Sequence, residues 1–423
     1  MATVETILVI LGGLIFIGYF GELLSRKFSV PSALLLLGIG FALRLTGYAD
    51  PAAFMGFQDI FATLALVILL FDGGLSMNVF EVLFKSGRVV VVGLLITILA
   101  MIGAAWLFML MGINPIIGAI LGAIAGGIGS STTISMTKGL SMPDSVKNFL
   151  TLESSITDVF SIILAIVFTQ ALISGSLDFQ FISQGIAGRF AIGVFTGLVA
   201  GVAATTVLSR IEKGYNYVVT LAIVLMLFSV TDFLAGSGAI AVLTFGLMIG
   251  NEATVRKIIN PGSNLSYPVI QDLQAEISFF VRTFFFVFLG IVVAIGNVNN
   301  FIIALGLMVL LYVIRYVVIY ITTAKTQFFE YRNVLSAINP RGLATAALAA
   351  YPLIVVQNIL KGDPSSPVAL LVPQLSALSE IAFYLIILSI VFTTILVPLA
   401  NRKKKIPEEG FTMNVLESRK KLF

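Results

Sequence analysis

The 423-residue sequence predicts an all-α, polytopic membrane protein of about thirteen transmembrane helices, arranged as two inverted six-helix repeats with a crossed pair of discontinuous helices. Three observations carry that prediction. The composition is 58% hydrophobic and only 11% charged, less than half the charge of a typical soluble domain. Basic residues cluster at alternate ends of successive apolar runs. Two of those runs, seven apart, are interrupted near their middles by helix-weakening residues.

In chain order the apolar runs fall near 4–24, 31–48, 58–78, 88–111, 115–137, 147–173, 184–209, 216–234, 236–250, 270–295, 299–323, 332–357 and 375–400. Most approach the roughly 20 residues that a helix needs to cross a bilayer. The eighth and ninth meet at AGSG, which makes their boundary soft. The opening MATVETILVILGGLIF has no basic residue before its apolar run, so it is expected as a first span and not a cleaved signal. With the N-terminus outside, the loops assigned to the cytoplasm hold Arg26 and Lys27, Lys85 and Arg88, Lys138 and Lys147, Arg210 and Lys213, Arg256 and Lys257, and Lys325 and Arg332. The tail adds Arg402, Lys403, Lys404, Lys405, Arg419, Lys420 and Lys421, for 19 of the 25 basic residues. The outer loops hold Lys361 alone. An error of one span would scramble this alternation, so a cell-membrane protein with an outer N-terminus and a cytoplasmic C-terminus is expected. One transmembrane unit, residues 1–400, is expected to contain repeats at about 4–173 and 216–400 joined by a linker helix at about 184–209; residues 401–423 form a short basic tail suited to anionic lipid.

The fifth run contains AGGIGSSTTISM, Ala125 to Met136. Glycine lowers helix propensity, and serine and threonine compete for backbone hydrogen bonds. The twelfth contains SAINPRGLATAALAAYP, in which Pro340 removes a backbone donor and Gly342 loosens the helix. An odd offset of seven means that the two runs cross the membrane in opposite directions. Inverted repeats would bring them to equivalent positions, and paired discontinuous helices are the sequence pointer to a transport site.

The sixth run contains LESSITDVF, Leu152 to Phe160, with two acids in an apolar segment. Asp158 is eleven residues from Lys147, which is about 16 Å along a helix and close to mid-membrane. An intramembrane ionisable group needs a partner. Arg315, near the middle of LLYVIRYVVIY, is the natural one for Glu153, and the two are expected as a structural ion pair. That leaves Asp158 without a permanent counter-charge, to be neutralised either by a proton or by a monovalent cation. Ser154 shares its helical face and Thr157 flanks it. Their hydroxyls, with Ser130, Ser131, Thr132 and the carbonyls of that stretch, are expected to give a hard cation its oxygens. Three further charges are supporting candidates. Asp72 either lines a cytoplasmic funnel or caps its helix; Arg341 either holds unwound backbone or pairs with an acid; Arg282 compensates an acid or a helix end not identifiable from sequence.

On these residues the chain resembles the monovalent cation:proton antiporter-1 family, the sodium/proton exchangers. Glu153-Ser154-Ser155-Ile156-Thr157-Asp158 fits the spacing of the family's Glu-Ser-x-x-Asn-Asp; Arg315 stands at its arginine partner, and Arg341-Gly342 at its Arg-Gly. LFDGGL and RTFFFVFLG also look familial. The resemblance implies an inverted-repeat antiporter fold, a core moving against a dimerisation domain, a homodimer, and electroneutral exchange of sodium for a proton, with no cofactor. Two positions depart from the pattern. Thr157 replaces the asparagine, and Ile128-Gly129-Ser130 replaces Thr-Asp-Pro, with a hydroxyl run following as in the second antiporter family, which includes potassium/proton exchangers. Potassium/proton exchange is therefore the alternative, and an uncoupled channel a remote one, since no run carries a polar stripe at helical spacing.

Other classes find no support in the sequence. There is no histidine and no cysteine, and no HExxH, GxSxG or GxxxxGK[ST]. An enzyme, a redox cofactor or an ATP site is not expected. The net charge of +4 comes from paired residues at helix ends and does not suggest nucleic-acid binding.

Overall fold

The computed structural model describes residues 12–21, 32–48, 58–76, 87–138, 142–174, 179–208, 215–251, 267–292 and 296–401, with isolated positions at 9, 23, 140 and 211. The basic tail, much of the first span, and the loops holding Arg26, Lys27, Lys85, Arg210, Lys213, Arg256 and Lys257 lie outside the described residues, as do the side chains of Ser131 and Lys138.

Among the described residues the chain is helical throughout, with no strand. In order the helices are α1 (Gly12–Gly21), α2 (Ser32–Leu45), α3 (Gln58–Ser76), α4 (Gly87–Leu110), α5 (Pro115–Gly126), α6 (Ser130–Lys138), α7 (Asp144–Ser174), α8 (Phe179–Leu208), α9 (Asn216–Phe233), α10 (Gly238–Gly250), α11 (Tyr267–Val292), α12 (Val298–Thr323), α13 (Arg332–Ala337), α14 (Leu343–Gly362) and α15 (Val372–Asn401). Eight stretches among them are long and apolar enough to cross a membrane, and five shorter apolar helices accompany them. Helices suit this solvent because all their mid-helix backbone groups are paired within the element, where lipid offers no partners.

Local chemistry sets several boundaries. Asn114 caps α5 by accepting from the Ile116 N–H at 2.9 Å, and Pro115 occupies the first turn, where no backbone donor is needed. The soft AGSG boundary resolves into a turn. Ala235 takes a left-handed φ of 58°, and Asp232 accepts from the Gly238 N–H at 2.7 Å. Asp232 therefore works as a helix cap at the start of α10. The twelfth span runs on to Gly362, five residues past its expected end, and carries Pro352 within it.

The helices pack in two groups. α4, α5, α6, α7, α12, α13, α14 and α15 contact mainly one another; α2, α3, α8, α9, α10 and α11 form the second set. α14 against α3 and α8 against α7 join the groups. The fifth and twelfth spans are both interrupted, as α5–α6 and α13–α14, and both breaks belong to the first group.

Candidate functional site

The two acids of α7 are five residues apart and meet different surroundings. Glu153 is fully buried and so is Arg315 of α12. The guanidinium grips the carboxylate with both ends, Nη1 to Oε1 at 2.6 Å and Nη2 to Oε2 at 3.1 Å. Its Nε donates to the Leu335 carbonyl of α13 at 2.9 Å. This fork geometry, plus a third hydrogen bond, is what lets a buried ion pair offset its desolvation cost. The pair ties α7, α12 and the first half of the broken twelfth span together.

Asp158 is partly exposed, in contrast to Glu153. Its carboxylate accepts from the hydroxyl and the backbone N–H of Ser130, the first residue of α6. Among the described residues no basic group stands within ion-pair distance of it, although Arg341 is near enough to interact electrostatically. The α6 N-terminus also presents unpaired N–H groups and a partial positive charge towards this carboxylate.

Breaking the fifth span creates this arrangement. Gly127 is extended, with φ −68° and ψ 139°, and separates α5 from α6. A side chain there would collide with Ser161 Oγ at 2.6 Å and approach Asp158 Oδ1 to 3.3 Å, so glycine lets α7 press its polar face against the opened backbone. The Gly129 N–H donates to the Pro340 carbonyl at 3.0 Å. A Cβ on Gly129 would lie 2.9 Å from the Gly342 nitrogen, so the two interrupted spans cross backbone to backbone.

The second break spans 338–342 and is satisfied largely by α15. Asn339 N–H donates to Thr393 Oγ1 at 3.3 Å, and Arg341 N–H to Ser389 Oγ at 2.8 Å. Ser389 and Thr393 are one helical turn apart and both buried, and Tyr312 shares a 3.0 Å hydroxyl contact with Thr393. Sequence reasoning passed over these three. The available signal was weak, since the same span also holds Ser376, Ser379, Glu380 and Thr394. Arg341 is fully buried; its Nη1 donates to Asn339 Oδ1 at 2.9 Å, while Nε and Nη2 have no partner among the described residues.

The hydroxyls expected as ligands also make hydrogen bonds within the chain. Thr157 Oγ1 accepts from the Ile128 N–H at 3.2 Å and donates to the Ser154 carbonyl at 3.1 Å, so it splints the opened backbone. Ser154 Oγ donates to the Thr151 carbonyl at 2.9 Å. Thr132 is buried beside Gly342. The sequence leads one to expect carbonyls near Ser130–Thr132 facing the acid. Those residues open α6, so their carbonyls point along the helix, away from its N-terminus, and Asp158 meets donors there. Two buried hydroxyls in this neighbourhood, Ser161 Oγ and Thr133 Oγ1, have no hydrogen-bond partner among the described residues.

Asp72 and Arg282 lie in the second helix group and meet each other. Asp72 of α3 accepts from the Ser278 hydroxyl of α11, and the Arg282 guanidinium of α11 is within electrostatic reach. Around them Tyr217 donates to Gln274 Oε1 at 2.9 Å, and Gln274 Nε2 donates to Ser278 at 3.0 Å and to the Ile68 carbonyl at 3.3 Å. Asp72 is thus the acid nearest in charge to Arg282, which sequence could not name.

With this geometry in view, comparisons with known proteins bear on the chain. The family described as "Sodium/hydrogen exchanger, transmembrane" matches residues 11–402. A K(+)/H(+) antiporter NhaP2 from Shewanella sp. strain ANA-3 is 27% identical over 243 residues, covering 54% of this chain and 41% of the relative. The chain thus matches about two fifths of the length of the first curated relatives. A Methanocaldococcus jannaschii protein, named as a probable Na(+)/H(+) antiporter 2, is 27% identical over 397 residues, covering 84% of this chain and 90% of the relative. In fold, the chain is similar to the sodium proton antiporter MjNhaP1 from the same organism at pH 8, with a TM-score of 0.74 and 20% identity, covering 94% of this chain and 99% of that one.

Proposed function

This chain belongs to the sodium/hydrogen exchanger family, and on that premise we propose that it is a secondary antiporter in which a monovalent cation and a proton compete for Asp158. The carrying observation is the position of that carboxylate. It sits where two interrupted helices cross, held by the neutral donors of Ser130, while Glu153 on the same helix is locked to Arg315. A carboxylate held by neutral donors can exchange its partner; one gripped by arginine cannot. Loaded with a proton or a cation, Asp158 is near neutral and can move through the barrier, whereas the empty carboxylate is costly to move. That difference enforces coupling.

The cation's oxygens come from Asp158 and from hydroxyls with lone pairs to spare. We include Ser161 in that set, because its Oγ and Asp158 Oδ1 both face Gly127 and it lacks a partner. Ser154 retains its lone pairs after donating its proton. Thr157 keeps a positioning role, with Ser130 on the carboxylate and Thr132 beside Gly342 at the crossing. Glu153, Arg315 and Arg341 brace the crossing, and Asp72 with Arg282 brace the second helix group.

Sodium is the first reading for the cation. Potassium is the second, favoured by the K(+)/H(+) names of the NhaP2 relatives and by Thr157 and Gly129, which stand at the family's asparagine and aspartate. One exchanging acid supports electroneutral one-for-one stoichiometry. The basic-pair alternation supports an outer N-terminus, and the separation into two helix groups supports a core that moves against a dimerising set within two inverted repeats.

The test is a pH-gradient dequenching assay in proteoliposomes, run in parallel with sodium, potassium and lithium. Competition requires the apparent KM for the cation to fall as pH rises, because fewer protons contend for the carboxylate. A KM independent of pH, or flux driven by membrane potential without a proton gradient, would sink the exchange reading.

A further inference from the structure

A cavity lies on the basic end of the bundle and belongs to no part of the ion site. It encloses about 440 Å³ between α12, α13 and the end of α15, lined by Tyr312, Val313, Tyr316, Asn333, Ser336 and Leu399 among others. Val313, Tyr316 and Leu399 are each about half exposed, so the groove opens sideways, onto the surface that lipid chains cover. One buried polar group interrupts its largely apolar lining. Ser336 is only 6% exposed, and its Oγ has no hydrogen-bond partner among the described residues. A buried hydroxyl left unpaired costs free energy unless something outside the chain meets it.

One residue before Asn333 stands Arg332. Its guanidinium is stacked 4.0 Å from the Phe329 ring and 5.3 Å from the Tyr320 ring, which fixes its plane, and its Nε has no partner among the described residues. A fixed guanidinium is suited to bidentate contact with a phosphate. Lys325 stands on the same side, with Glu330 as the nearby acid. The chain that continues from the α15 wall is Arg402-Lys403-Lys404-Lys405.

We propose that this groove binds an anionic phospholipid, with an acyl chain along Val313, Tyr316 and Leu399, polar headgroup or glycerol atoms on Ser336 and Asn333, and the phosphate on Arg332. Charge selects this occupant over the chain's own tail. The tail begins with four consecutive cations, so seating it against Arg332 would set like charges together, whereas an anionic headgroup brings the opposite sign. The groove also touches the transport machinery. Tyr312 bonds to Thr393, which accepts from Asn339 at the second break, and Ser336 lies two residues before that break on the helix whose Leu335 carbonyl holds Arg315. Lipid in the groove therefore packs against the short helix leading into the crossing.

The test reconstitutes the full chain in phosphatidylcholine vesicles doped with phosphatidylglycerol and reads retained lipid by native mass spectrometry, with size-exclusion profiles as the folding check. Wild type is expected to retain phosphatidylglycerol over phosphatidylcholine. Arg332→Gln should lower that retention about fivefold, the worth of one cation near an anionic surface. Val313→Trp, which fills the groove from its exposed wall, should abolish it. Equal retention of both lipids by wild type, or unchanged retention in either variant, overturns the proposal. The chain has no cysteine, so the double substitution Tyr316→Cys with Phe411→Cys probes the rival occupant cleanly. No disulfide is expected; efficient formation would assign the groove to the tail.

Discussion

Glu153 and Asp158 share one helix and one carboxylate chemistry, five residues apart, yet one is fully buried and the other partly exposed, and their partners differ. Glu153 has a fixed cation on both oxygens, and Asp158 has the hydroxyl and N–H of an opened helix end. Burial alone therefore does not mark a working group. What separates the bracing acid from the exchanging one is whether its partner can leave. An arginine held by Leu335 as well as by Glu153 stays in place, whereas a proton or an alkali ion does not.

The sharpest way to break that comparison is to neutralise the exchanging acid. Asp158→Asn should abolish cation-driven proton flux in proteoliposomes while leaving the size-exclusion profile and thermal midpoint close to wild type. Retained coupled flux would show that the partner-exchange argument attaches to the wrong carboxylate. Neutralising the bracing acid should do the reverse. Glu153→Ala leaves Arg315 buried and unpaired and should cost about 3–5 kcal/mol of stability, with flux lost through unfolding. Removing both charges together should cost less than either alone, and a thermal-shift double-mutant cycle reads the coupling; strictly additive losses would mean that the two do not act as a pair. The smallest expected effect sharpens the ligand set around Asp158. Ser161→Ala should raise the apparent KM for the cation about two- to tenfold, the worth of one polar contact, with little change in maximal rate. An unchanged KM would remove Ser161 from the site and leave the role of Asp158 standing.

The parts of this site that were legible in sequence are those with no alternative. Arg315 in mid-span had to find an acid, because an isolated buried charge costs several kcal/mol. Pro340 and the glycines of Ala125–Met136 had to interrupt their helices, because their effects are local to the backbone. The hydroxyls stayed open because a serine or threonine can bond to its own helix, splint a neighbour or face an ion, and its position in the chain does not choose among these. Thr157 was expected as a ligand and splints Ile128, whereas Ser161, Ser389 and Thr393 carried no distinctive spacing to a motif. Arg282 found Asp72 across two helices whose register only packing sets.

The sequence by itself determined the solvent, the count and span of the helices, the two interruptions and the need for internal ion pairing, because each follows from the cost of exposing charge or opened backbone to lipid. Tertiary structure decided which end of a broken helix faces Asp158, so that the Ser130 N–H and hydroxyl meet it. It also decided which hydroxyls stay unspent. Those outcomes depend on rotations and translations of whole helices past one another, and hydrophobic patterning leaves those rigid-body placements open wherever a helix is apolar on every side.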